Sequence, residues 1–224
     1  MSFTSNAAEF NQDGLYNSNL IQFPTSGIVK RKVAANGTVD PVKSLEDIQR
    51  IKEYFLNGGL HAYRNYCMFV VGINVGLRAS DLLPLRVCDV AYLSQNGKLE
   101  VIPQHTDIRL KEKKTAKYRS VQLSQNAREA IQMYFDNTSW LTINDYLFAS
   151  QKGGHIELRR ANQILKEAQK DLNLNYNLGT HSMRKTFGYQ KFEAMQETQG
   201  AIATLQKAFN HSSSQITLGY IGIT

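Results

Sequence analysis

Residues 62 to 76, AYRNYCMFVVGINVG, limit the fold more than any other stretch of this chain. Their apolar residues run on at helical length and stop at Gly76, so the stretch reads as a buried helix. A buried helix needs neighbours to cover it, and the rest of the chain supplies them. SLEDIQRIKEYFLNGG opens with a capping pattern, Ser44 followed by Asp47, and stops at Gly58–Gly59. Leu45, Ile48, Ile51, Tyr54 and Phe55 give it one apolar stripe. Ser80 is placed to cap a short helix, DLLPLRV, and Ser124 a longer one, QNAREAIQMYFDN. Further helices are expected near 158–172, 181–195, 199–209 and 213–221.

Between about 98 and 123 the period changes. KLEVIP, DIRLKE and YRSVQL read as three short strands, the last two joined by the basic turn KKTAK. The expected fold is α+β, mainly helical, with a small antiparallel three-stranded sheet. Residues 1 to about 40 are rich in Asn, Ser, Thr and Gly without sustained period, and read as a polar tail or loosely docked arm. Its run VKRKV, 29 to 33, reads as a solvated basic patch. Residues 41–224 then form the folded domain.

The net charge of +7 favours a polyanionic partner. No apolar run is long enough to span a membrane and the N-terminus lacks the order of a secretion signal, so a cytoplasmic protein is expected. Cys67 and Cys88 lack metal-ligand spacing and read as reduced core residues.

Four places carry chemistry. Arg78 follows the glycine-ended helix in GLRASDLL and projects from a turn, with Asp81 three residues on; a surface ion pair is the plainer alternative. Lys114 sits at the tip of the basic hairpin, among Lys111, Lys113 and Lys117, and either reaches into a groove or is merely solvated. In THSMRKTFGYQ, with Thr180 as cap, His181 and Arg184 share one helical face near a helix N-terminus, which favours an anion. Two arginines from distant segments can hold the non-bridging oxygens of one phosphate. His211 and Tyr220 close the chain in FNHSSSQITLGYIGIT. A tyrosine oxygen can attack phosphorus if its proton is removed and the anion stabilised.

The order Arg, Lys, His-x-x-Arg, His, Tyr resembles the tyrosine recombinase (phage integrase) family, in particular its compact integrases from bacterial mobile elements. The resemblance covers roughly residues 44 to 224, the catalytic domain. It implies an active site of Arg78, Lys114, His181, Arg184, His211 and Tyr220, with Asp81 supporting the first arginine. Lys113, Lys117, Arg119 and Lys185 would contact DNA. The implied reaction is site-specific cutting and rejoining of duplex DNA through a 3′-phosphotyrosyl intermediate, without metal or other cofactor, in a homo-oligomeric synapse. The other readings are a type IB topoisomerase-like nicking and closing enzyme and a DNA-binding protein that does not cut.

Two departures from the family pattern stand out. Members usually carry a helical domain of about a hundred residues ahead of the catalytic one, where this chain has the polar segment. Only IGIT follows from residue 221, which suggests a truncated chain and puts regulated tetramer assembly in question.

Overall fold

The computed structural model describes residues 38–114, 116–195 and 200–223. The basic run at 29–33, and all of the polar segment before residue 38, lie outside them.

The buried helix is real and central. It is α2 (Ala62–Val75), with Cys67, Met68, Phe69 and Val71 fully enclosed. Around it pack α1 (Leu45–Leu56), α5 (Gln125–Asp136) and α7 (Thr180–Ala194), while α6 (Leu158–Asp171) lies against α1 and α7. Both serine caps form: Ser44 Oγ accepts from the Asp47 N–H at 3.2 Å and Ser124 Oγ from the Ala127 N–H at 3.3 Å. In α1 the stripe buries Ile48, Ile51 and Phe55, whereas Leu45 at the helix start is exposed. The helix ends one residue ahead of the glycines, because Asn57 caps it by donating from its side chain to Glu53 O.

Ser80 is not a cap. It lies inside the short helix α3 (Ala79–Leu82), whose N-cap position is Arg78 in an extended conformation. Pro84, which has no N–H to continue the helix, separates α3 from α4 (Val87–Val90). Cys67 is a core residue as expected, but Cys88 lies on the exposed face of α4 and is not.

All three expected strands form. The second and third, β3 (Asp107–Lys111) and β4 (Tyr118–Gln122), pair antiparallel with Ile108 opposite Val121. The first, β2 (Leu99–Val101), pairs instead with a strand the sequence did not announce, β1 (Ala91–Leu93). The described sheet structure is therefore two two-stranded ladders. Pro103, just beyond β2, cannot donate to a continued ladder.

The last helices, α8 (Ala201–Phe209) and α9 (Ser214–Ile221), build a second, smaller cluster of Leu205, Phe209 and Ile221. It sits on α7, where Gly188 lets it approach: a Cβ there would fall 2.6 Å from Ile221 and 2.7 Å from Phe209. Residues 38–43 strap across the same region. The Val42 N–H donates to Thr186 Oγ1 and Lys43 Nζ to Gly222 O, just beyond α9. No helix among the described residues is long and apolar enough to cross a membrane.

Candidate active site

The site forms where α2 and α8 end beside the start of α7. Gly76 closes α2 at φ +63°. A Cβ there would fall 2.3 Å from the Phe187 ring, so both backbone conformation and space require glycine. The turn that follows delivers Arg78, whose side chain is only 18% exposed.

Arg184 lies one turn into α7 and is buried at 3% exposure. Its Nη1 donates to Gly76 O at 2.7 Å and its Nη2 to Phe209 O at 3.3 Å. Both acceptors are carbonyls at helix C-termini, the negative ends of α2 and α8. The guanidinium also lies over the Phe209 ring, 4.6 Å from its centroid. Burial draws its pKa down to about 10, which leaves it cationic at neutral pH.

His181 shares the α7 face with Arg184 but is exposed. Partial loss of water around the ring where it meets the site, then the charges of Arg184, Lys185 and Arg78, hold it below the ordinary imidazole pKa. Thr180 is not the α7 cap: that position is Gly179, whose N–H donates to Ser182 Oγ at 3.1 Å. The Thr180 N–H goes to Asn162 Oδ1. Two donors at this helix end are therefore already taken within the protein.

Asn210, in the left-handed conformation, turns the chain out of α8 and into His211. Nδ1 of His211 lies 3.1 Å from Thr217 Oγ1, and the Thr217 hydroxyl donates to Ser213 O. The single hydroxyl proton is thus used, so Thr217 accepts from Nδ1–H and Nε2 carries the lone pair. Burial, then Arg184 and Arg78, keep this imidazole below its ordinary pKa as well.

Tyr220, half-buried on α9, stacks edge-on against His211 with ring centroids 5.0 Å apart, and against Phe209 at 5.4 Å. Burial raises its pKa; Arg184, through charge and hydrogen bonding, and Arg78 pull the other way. The phenol is neutral at rest and needs a base.

Arg78, His181, Arg184, His211 and Tyr220 thus come together from three separate parts of the chain. Lys114 is exposed in the β3–β4 turn, and the residue before it is anchored: the Lys113 N–H donates to Asp81 Oδ1 at 2.9 Å. Lys113 and Lys117 are exposed as expected. Arg119 and Lys185 each have a partner within the protein. The Arg119 guanidinium turns to Glu112, 3.5 Å away, and Lys185 Nζ donates to Val39 O while lying over the Tyr220 ring. Sequence reasoning missed Glu112 and Thr217. Glu112, flanked by lysines in the sequence, carries no signal of burial there. Thr217, three residues before Tyr220, looks like any helix threonine.

The cluster is cationic, with a phenol at its edge, and suits an anion with a tetrahedral centre. Among the described residues no group of three or more His, Cys, Asp or Glu is placed to hold a metal ion.

Residues 43–224 match the model of the Phage integrase family. The chain is 38% identical over 187 residues to the "Probable integrase/recombinase YoeC" of Bacillus subtilis (strain 168), covering 83% of this chain and 90% of that protein. Among solved structures it is similar to the XerA recombinase, with a TM-score of 0.57 at 20% identity, over 86% of this chain and 62% of that one. It is also similar to the XerH site-specific recombinase bound to palindromic difH substrate in a post-cleavage complex, with a TM-score of 0.57 at 20% identity, over 82% and 50% of the two chains. The Tn1549 transposon integrase in complex with circular intermediate DNA gives a TM-score of 0.54 at 16% identity, over 79% and 61%. The chain therefore spans half to just under two thirds of these three structures, and at such identities they show the fold.

Proposed function

The chain belongs to the phage integrase family, that of the tyrosine recombinases, and on that premise we propose that it cuts and rejoins duplex DNA at specific sites through a 3′-phosphotyrosyl intermediate. One observation carries this reading. Tyr220 and His211 lie ring against ring beside a buried arginine, and Arg78 stands close enough to act on all three.

The geometry supports the following steps. The scissile phosphate enters between Arg78 and Arg184, which neutralise its non-bridging oxygens and the charge that builds on phosphorus. His181 faces the same anion as a hydrogen-bond donor or proton carrier, and His211 serves through the lone pair on Nε2. As Tyr220 Oη bonds to phosphorus it loses its proton, and the nearby imidazole lone pair of His211 is suited to take it. The bond from phosphorus to the 5′-oxygen breaks, and Lys114 protonates that oxygen. The phosphodiester energy stays in the tyrosyl link, so a 5′-hydroxyl from a partner strand can reverse the step.

Within this reading residues 41–224 are the catalytic domain and the preceding segment is an appended arm. Asp81 supports the site by holding the Lys114 turn. Lys113 and Lys117 meet the DNA backbone. The enzyme works in the cytoplasm, as a homo-oligomer on two DNA sites.

A nicked suicide duplex tests the chemistry: the chain should become covalently attached to DNA, and an unattached chain would leave a binding protein. A two-site assay then separates recombination from nicking and closing, since only a recombinase exchanges strands between two duplexes.

A further inference from the structure

Glu112 is the one buried carboxylate of the site that the steps above leave without a role. It follows β3 in the run Lys111–Glu112–Lys113–Lys114, yet it is only 8% exposed. Its Oε2 lies 3.0 Å from Arg78 Nη1 and its Oε1 3.5 Å from Arg119 Nη1. Asp81, the acid that sequence pairs with Arg78, stands farther off at 4.0 Å and spends its Oδ1 on the Lys113 N–H. The nearer partner of Arg78 is therefore an acid more than thirty positions away in the chain.

Burying a carboxylate is costly unless opposite charge compensates it, and here two guanidiniums do. The reverse also holds. Arg78 and Arg119 are both near enough to Arg184 for their charges to depress its pKa. Three guanidiniums converge on one place, and like charges in a half-buried site repel. Without a phosphate, Glu112 supplies the negative charge that keeps them together. The two Nη1 atoms it faces are buried and lack hydrogen-bond geometry to any neighbour, so charge rather than a directed bond holds them.

We propose that Glu112 is a positioning residue for strand cleavage: it clamps Arg78 and Arg119 as a pair before DNA arrives, which makes Arg119 a third guanidinium at the scissile phosphate. This rests on the recombinase reading above. Glu112 touches neither phosphate nor nucleophile; it acts through the arginines. The backbone of the same residue closes the hairpin tip, with its N–H donating to Lys117 O and its C=O accepting from the Ala116 N–H, so the carboxylate is fixed at its base.

Glu112→Gln keeps the shape and removes the charge. On the suicide duplex, adduct formation should slow about 10-fold or more, as misplacement of a charge-stabilising group does. DNA affinity should stay equal or rise, since one repulsive charge is lost. A substrate with sulfur at the bridging 5′-position, which needs little protonation of its leaving group, should not restore the rate. Glu112→Asp, which keeps the charge but draws it back by one methylene, should also cleave more slowly than wild type; it serves if Glu112→Gln melts below the assay temperature. A wild-type rate in both variants, a loss of binding in step with the loss of cleavage, or full restoration by the sulfur substrate would each overturn the proposal, the last because it would place Glu112 behind Lys114 instead. A wild-type chain that forms no adduct would sink the recombinase reading itself, whereas a wild-type adduct beside unaffected variants sinks only the role of Glu112.

Discussion

Arg184 and Tyr220 face one site but hang from different parts of the molecule. Arg184 belongs to α7, which rests on the main core through Met183 and α2. Its guanidinium is bonded to two backbone carbonyls and stacked on a ring. Tyr220 belongs to α9, whose buried residues are only Thr217 and Ile221. That helix is held by the small cluster of Leu205, Phe209 and Ile221, and by the Lys43 contact to Gly222 O. The part that stabilises charge is built into the core, where preorganisation is worth most. The part that must form and break a covalent bond sits on an element with little apolar burial of its own, and small burial means a low cost of local opening.

The largest expected effect lies on the α9 side. Tyr220→Phe keeps the ring against Phe209 and His211 but removes the nucleophilic oxygen. Covalent adduct on the suicide duplex should vanish, in EDTA as in magnesium, while DNA binding survives. An adduct that persists and maps to another tyrosine would break the assignment.

On the hairpin, Lys114→Ala should slow cleavage by about 10²-fold or more, the usual contribution of a general acid. The sulfur-bridged substrate should restore it nearly to wild type. Rescue of Lys117→Ala instead would move the acid along the turn.

On the core side, Arg184→Ala should cost about 10² to 10³ in cleavage rate, as loss of one preorganised donor does. The structure adds a second consequence. Gly76 O and Phe209 O lose their buried donor, at about 1–3 kcal/mol for a buried group left unsatisfied. Thermal melting should register that loss. Arg78 bonds no backbone carbonyl among the described contacts, but it compensates the buried Glu112 at 3.0 Å, so Arg78→Ala should lose activity and also lower the melting temperature by leaving that carboxylate to Arg119 alone.

The contrast can also be read without DNA. Ile221→Ala removes a buried side chain from the α9 cluster and should cost about 2–5 kcal/mol locally. Hydrogen exchange should rise in α9 while the amides of α2 keep their protection. Ile51→Ala, fully buried in the main core, should instead lower the stability of the whole domain. Equal effects would mean that α9 and the core open as one unit.

The smallest effect is in pH. His181 and His211 both have folded pKa values below the ordinary 6.5. The unfolded chain then binds more protons than the folded one, so stability is full above about pH 6.5 and declines as pH falls through that value. A bound phosphate favours the charged imidazoles and reverses the sign. DNA binding near pH 6 should therefore take up protons, which calorimetry in buffers of different ionisation heat would detect.

Much of this was legible in the sequence because it is local. The serines before α1 and α5, Gly76 at the end of α2, and the i,i+3 placement of His181 and Arg184 depend on neighbours within a turn or two. Where local rules gave the wrong residue, a distant partner or a nearby competitor had won. Asn162 takes the Thr180 N–H and leaves Gly179 as the α7 cap. The Arg119 side chain reads from sequence only as one more basic residue of the hairpin, and Glu112 beside it is a partner that no local spacing announces.

The chain by itself determined its long helices, the hairpin, the order of its reactive residues and the family they belong to. Spacing and chemical type carry that information, and both are written along one dimension. Only the tertiary structure decided that Glu112 rather than Asp81 is the nearer acid to Arg78, that Arg184 is buried against two helix ends, and that Tyr220 rides on a separate small cluster. Each of these joins residues far apart in the chain, and such contacts are chosen by packing and charge compensation after the elements have formed.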